Sequence, residues 1–172
     1  AEVNQGYAEV KDPSLYYKVK MDNESEKRIK DEIGSDDQKE TFLIVWTTMP
    51  FTLVTDAMIG VNPDEEYVCI DIEDIRWNNE RWIVGKTRYK ELFEEFNLSA
   101  IGVWNESTIK GSKLEGIKYI HPLLDKIPKL EELSQEANYH IVVAEEFVEV
   151  TTGSGLVHLS PANGEEDIKI AN

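Results

Sequence analysis

Cysteine is almost missing from this chain. Cys69 stands alone, which excludes an internal disulfide framework and any cysteine-based metal site. Set in Tyr67-Val68-Cys69-Ile70, it reads as a small buried strand residue and not as a nucleophile. Basic side chains are scarce too: 18 Lys and Arg stand against 34 Asp and Glu, a formal charge of −16. Nonspecific grip on nucleic acid comes from Lys and Arg on phosphates, so a nucleic-acid partner has to be held mostly by something outside this chain. No apolar run approaches the roughly 18 residues of a membrane span, and no signal-peptide pattern opens the sequence. Neither a membrane nor DNA is expected as a partner, and the expected setting is a reducing compartment, the cytoplasm. Ala1 in place of Met, and Asn172 a few residues into what reads as a helix, suggest a domain excised from a longer protein.

What is present is mostly strand signal. With 172 residues the chain can bury a real core as one domain. Leu15–Met21 and Thr41–Thr47 are rich in β-branched and aromatic residues. Between them, Asp22–Glu40 is dense in charge, with Ile29 and Ile33 its only large apolar residues; it reads as a polar, exposed insertion with a short helix. Tyr67–Ile72 and Arg81–Val84 read as strands joined around an Asn78-Asn79 turn. In Thr87–Phe96 the spacing of Tyr89, Leu92, Phe93 and Phe96 predicts a helix. Short strands are predicted near Ile101–Trp104 and Ile117–Ile120, a helix over Lys129–Ala137, and closing strands at Ile141–Val143, Phe147–Val150 and Leu156–Leu159. The pattern predicts a mainly β fold with peripheral helices, a barrel or strongly curved sheet. Periodicity leaves the topology open.

Two segments carry chemistry-bearing residues. In Trp46–Leu53 an apolar strand runs into Thr47, Thr48, Met49 and Pro50. Threonines at a strand end either satisfy local backbone groups or line a pocket at the strand exit, and both readings stand. The second segment, Thr151–Asn172, sets a Gly-Ser-Gly turn, a short strand with His158, a Ser-Pro-Ala-Asn-Gly loop and the acidic run Glu165-Glu166-Asp167 in succession. Gly153 and Gly155 supply backbone freedom for the turn. The acidic run suits a helix N-terminus, whose dipole favours negative charge. His158 faces away from Val157 and Leu159, and His158 and Asp167 stand at the two ends of one loop. No catalytic triad is visible, although Ser154 and Ser160 lie near His158. His121 and His140 form no metal pattern with acidic residues, and neither a metal nor a cofactor is expected.

The order of motifs is more specific than any one of them. Trp46–Leu53, Val61–Val68, Gly111–Gly116, His121–Leu123, Gly153–Pro161 and Gly164–Asp167 together resemble the editing domain inserted in isoleucyl-tRNA synthetases, over nearly the whole chain. Valyl- and leucyl-tRNA synthetases carry related inserts, but Ala162-Asn163-Gly164-Glu165-Glu166-Asp167 is closer to the isoleucyl pattern. Met49 and Phe51 replace a threonine and a tryptophan common in the family, and Asn163 stands where many relatives place a histidine.

The resemblance implies a β-barrel-like editing domain that hydrolyses valine wrongly esterified to the isoleucine tRNA, and with it valyl-adenylate. It implies two partners, the tRNA acceptor end carrying mischarged valine and the remainder of the synthetase chain. Asp167 would anchor the substrate's ammonium. Thr47 and Thr48 would shape the pocket and help place the attacking water, and His158 would wall the side-chain pocket or orient the substrate, with Met49 and Pro50 also binding it. Asp167, Thr48 and Thr47 are thus the expected catalytic set. Two alternatives stand beside it: a valyl-type domain that removes threonine, and a noncatalytic acidic interaction domain of the same fold. The chain lacks His-x-Gly-His-type and Lys-Met-Ser-Lys-Ser-type signatures, so amino-acid activation is not expected of it.

Overall fold

Glu40–Thr47 (ETFLIVWT) is the hub of the fold, because its β-branched and aromatic residues are buried on both faces and pair on both edges. The computed structural model describes residues 14–77, 79–98, 104–136 and 139–160. In chain order the described elements are β1 (Leu15–Met21), α1 (Asn23–Ile33), β2 (Glu40–Thr47), β3 (Met58–Val61), β4 (Glu66–Ile72), β5 (Glu80–Gly85), α2 (Tyr89–Glu95), β6 (Trp104–Lys110), β7 (Tyr119–Ile120), α3 (Pro128–Leu133), β8 (Ile141–Ala144) and β9 (Val157–Leu159). Short 3-10 turns cover Pro50–Thr55 and Gly111–Lys113. No described helix is long and apolar enough to cross a membrane.

The strand pairings run in a circuit. β1 lies antiparallel to β2 along its length and to β7 at its end. A bridge from Lys118 to Ile141 leads to β8, which is parallel to β3. β3 is antiparallel to β9, and β9 returns to β2 through Trp46 and Val157. The first half of β2 pairs instead with β5, which continues into β4 and β6 as a wing. The predicted mainly β, barrel-like architecture is what the pairings build.

Alternation along the strands sorts the core. Val19 and Met21 of β1, Leu43 and Val45 of β2, and Tyr67 and Cys69 of β4 face the main cluster. Val68, Ile70 and Ile72 face a second one, covered by Leu92 and Phe93 of α2. Cys69 is 1% exposed, and burial pushes its thiol up to about 12, as befits a core residue.

Several predicted elements change shape. The charged insertion 22–40 carries a three-turn helix, α1, closed by an Asp22 side chain that accepts from Ser25 N and by Gly34 in the left-handed conformation. Its Ile29 is fully buried, so one face of the segment belongs to the core. Phe147–Val150 is not a strand: Val148 N turns back to Glu145 O, and Asn62 Nδ2 donates to Val148 O. β3 went unpredicted. The helix expected over Lys129–Ala137 runs from Pro128 to Leu133.

Two motif glycines are required by close approach. A Cβ on Gly111 would lie 1.9 Å from Asn62 O, and one on Gly153, at φ +57, 2.4 Å from the Trp46 ring. Thus Val61–Val68 packs on Gly111–Gly116, and the Gly153 turn packs on the strand that ends in Thr47.

Candidate functional site

Pro50 cannot extend β2, and its fixed φ starts the 3-10 turn Pro50–Thr55 immediately after the strand. Thr52 holds that turn from two atoms, its N and its Oγ1 both donating to Met49 O at 3.0 and 2.8 Å. The turn ends at Asp56, whose N bonds to Leu53 O, and β3 begins two residues later. β9 runs antiparallel to β3 with His158 opposite Ile59. That register carries the His158 ring back over Asp56 and Thr52.

The contacts form a chain. His158 Nδ1 lies 2.6 Å from Asp56 Oδ1, and His158 Nε2 lies 2.8 Å from Thr52 Oγ1. The Tyr119 hydroxyl donates to Asp56 Oδ2 at 2.8 Å. Behind it, His121 Nε2 donates to Leu53 O at 2.9 Å and its Nδ1 accepts from Leu123 N at 3.0 Å. The side chains of Asp56, His121 and His158 are 0%, 0% and 4% exposed. All three histidines of the sequence therefore gather at one end of the barrel core, with His140 stacked 5.0 Å from His121. Burial lowers His121 and, with His121 beside it, holds His140 down to about 4. Burial and Asp56 raise the Tyr119 hydroxyl well above the phenol range.

An acid–histidine–hydroxyl series is the geometry by which a triad is recognised. Here it does not make Thr52 a nucleophile. Thr52 is 4% exposed, its hydroxyl hydrogen is given to Met49 O, and His158 has both ring nitrogens engaged. The chain builds a rigid polar wall.

The expected site residues divide around this wall. Thr47 is buried, and its Oγ1 accepts from Met49 N at 3.1 Å. Thr48 is exposed, Met49 is 46% exposed, and Pro50 is half-buried at the head of the turn. His158 is joined to that turn directly through Thr52. Asp167, like the whole run from Pro161 to Asn172, lies outside the described residues. Ser154 bonds within its own turn to Leu156 O, and Ser160 bonds to Thr55. Among the described residues no group of three or more His, Cys, Asp or Glu is arranged to hold a metal ion.

Sequence reasoning missed Asp56, Tyr119 and the role of Thr52. A signal existed for Asp56, a lone carboxylate followed directly by the apolar Ala57-Met58-Ile59. Lys86, Arg88 and Lys90 are the densest basic cluster of the sequence; Lys86 is paired with Glu66 and Arg88 lies 3.6 Å from Glu95.

No family profile matches the chain. In an alignment of 173 residues that covers 98% of its length, the chain is 34% identical to the isoleucine–tRNA ligase of Methanocaldococcus jannaschii, of which it spans 15%. It is 38% identical over 169 residues to the isoleucine–tRNA ligase of Aquifex aeolicus, of which it spans 16%. Among solved structures, that of GlLeuRS-CP1 superposes with a TM-score of 0.66 at 20% identity, over 91% of this chain and 58% of that one. The editing domain of the P. knowlesi cytosolic leucyl-tRNA synthetase gives a TM-score of 0.62 at 15% identity, over 90% of this chain and 59% of that one.

Proposed function

We propose that this chain, an editing domain of the isoleucyl-tRNA synthetase family, hydrolyses the ester linking a wrongly selected valine to the isoleucine tRNA. A hydrophobic pocket separates side chains that differ by one methylene by only about 1–3 kcal/mol, and isoleucine against valine is the standard illustration of that limit. A second, hydrolytic site that admits the smaller side chain repairs the error. The observation that carries the reading is the buried Thr52–His158–Asp56 chain, tied through Thr52 to the carbonyl of Met49, the residue between Thr48 and Pro50. Every polar atom of that wall that faces a neighbour is already satisfied, so it can delimit a pocket for an apolar side chain without seeking bonds from it.

His158 then acts by position. With both nitrogens committed it is not free to take a proton from water, and acceleration comes from orienting water against an already labile ester. Thr48, exposed at the strand exit, and Thr47 beside it are the residues proposed to hold that water. Asp167 is proposed to anchor the substrate's ammonium by a charge-assisted hydrogen bond. The proposed partners are the acceptor end of tRNA and the remainder of a synthetase chain, in the cytoplasm. The charge of −16 opposes a polyanion, and two residues of the densest basic cluster are tied to carboxylates. Tethering within a longer chain would therefore supply the encounter.

The test is deacylation of valyl-, isoleucyl- and threonyl-tRNA by the chain at high protein concentration. Hydrolysis of the valyl ester well ahead of the isoleucyl ester is expected, and its loss in Asp167→Ala. Preference for the threonyl ester would favour the valyl-type alternative, and no hydrolysis of any ester would favour a noncatalytic domain.

A further inference from the structure

Asp56 is a buried carboxylate with both oxygens engaged, one by His158 and one by Tyr119. Such a group needs either a proton or a cation beside it. Its neighbours offer few. Tyr119 keeps its proton, because burial and Asp56 both raise the phenol. Tyr17, raised by burial and by Asp56, keeps its own as well. His121 stands 4.0 Å from Asp56 Oδ2, but its Nδ1 accepts a backbone N–H and its single proton goes to Leu53 O. His140 is held neutral by burial and by His121. Among the described residues only His158 remains.

A second constraint comes from the far side of the ring. The Thr52 hydroxyl has one hydrogen, and Met49 O, which can only accept, takes it at 2.8 Å. Thr52 Oγ1 therefore meets His158 Nε2 as an acceptor, so Nε2 carries a proton. The 2.6 Å contact between Nδ1 and Asp56 holds another. The Asp56–His158 pair thus holds two protons. An uncharged side chain at position 56 would leave the ring one.

We propose that Asp56 is the positioning residue of this site: it holds the doubly protonated ring of His158 with Nε2 aimed at Thr52, and so fixes the wall against which the substrate side chain is measured. With Asn at position 56 the ring holds one proton. The amide can accept from Nδ1 and leave Nε2 bare, or turn, donate to Nδ1 and accept from the Tyr119 hydroxyl. Either way the charge-assisted 2.6 Å contact that fixes the ring becomes a weaker neutral one, and the wall loosens. The consequence for selectivity rests on the hydrolase reading; the proton count does not.

Two measurements on the chain separate these. In a long-range nitrogen–proton correlation spectrum of the imidazoles, wild-type His158 is expected to show both ring nitrogens protonated, and Asp56→Asn only one. In deacylation assays, Asp56→Asn is expected to lower the ratio of valyl- to isoleucyl-ester hydrolysis by about tenfold or more, the low end of what one methylene contact decides. A bare Nε2 in the wild-type protein overturns the proposal without any variant having to fold. So does an unchanged ester ratio in Asp56→Asn. A wild-type chain with protonated Nε2 that hydrolyses neither ester instead overturns the hydrolase reading, and the selectivity role with it.

Discussion

The wing and the barrel end are both buried, yet they are filled by opposite chemistry. In the wing, Trp82 meets Trp77, Phe93 and Phe96 edge-on at centroid distances of 5.0, 6.2 and 6.0 Å, beneath α2. At the barrel end the space is taken by Asp56, Tyr119 and the histidines. An aromatic cluster holds mainly by area and shape, with few polar ties, such as Trp82 Nε1 donating to Glu80 Oε2. A buried polar layer gains little net energy but demands a specific arrangement, since each unpaired group costs its desolvation. The wing should therefore govern stability, and the barrel end should govern selectivity and the response to pH.

Trp82→Ala is the largest blow to that contrast, expected to cost about 3–5 kcal/mol in urea unfolding. The valyl-to-isoleucyl ester ratio of the folded fraction should stay unchanged. A shifted ratio would mean that the two regions are coupled.

His158→Ala should cost less, about 1–3 kcal/mol, because it strands Asp56 and Thr52 without emptying a large volume. Its signature is on selectivity: isoleucyl ester becomes a substrate while valyl-ester turnover falls less. A large rate loss with the ratio intact would make His158 a base and not a wall.

The pH response sharpens the comparison further. His140 is depressed from 6.5 to about 4, so between those values the unfolded chain binds a proton that the folded chain refuses. Stability therefore falls as pH drops through that window, and His121, lowered in the same direction, adds to the fall. Urea unfolding of the wild type at pH 7 and pH 5 should show the loss, and His140→Asn, which tolerates the left-handed backbone at φ +51, should flatten it. The cost of Trp82→Ala should be the same at both pH values. The smallest effect belongs to neither region. Gly34→Ala meets no atom within 4 Å and is expected to cost about 1 kcal/mol, from the left-handed backbone alone.

Local pattern was enough for elements whose periodicity and turns agree. The β4–β5 hairpin and α2 were legible because apolar spacing, aromatic content and the Asn turn point the same way. β3 was not: four consecutive buried residues, MIGV, show no alternation to read. Phe147–Val150 misled in the other direction. Val148 and Val150 are buried in alternation, but against the core and not across a ladder. In α1, Asp22 and Gly34 mark both ends of the short helix expected there, and charge density hid only that its Ile29 belongs to the core.

For the site, the sequence by itself determined the participants it could mark locally: Thr47 and Thr48 where an apolar strand meets a proline, and His158 on a short strand after a glycine turn. Adjacent residues suffice to show such features. The partners of His158 were decided only by tertiary structure, since Asp56 and Thr52 lie 102 and 106 residues away and Tyr119 reaches Asp56 across 63. The antiparallel register of β3 and β9, set by the closing of the strand circuit, brings them together. Whether a carboxylate is a solvated surface charge or the clamp of a buried ring depends on what packs over it, and no local pattern records that.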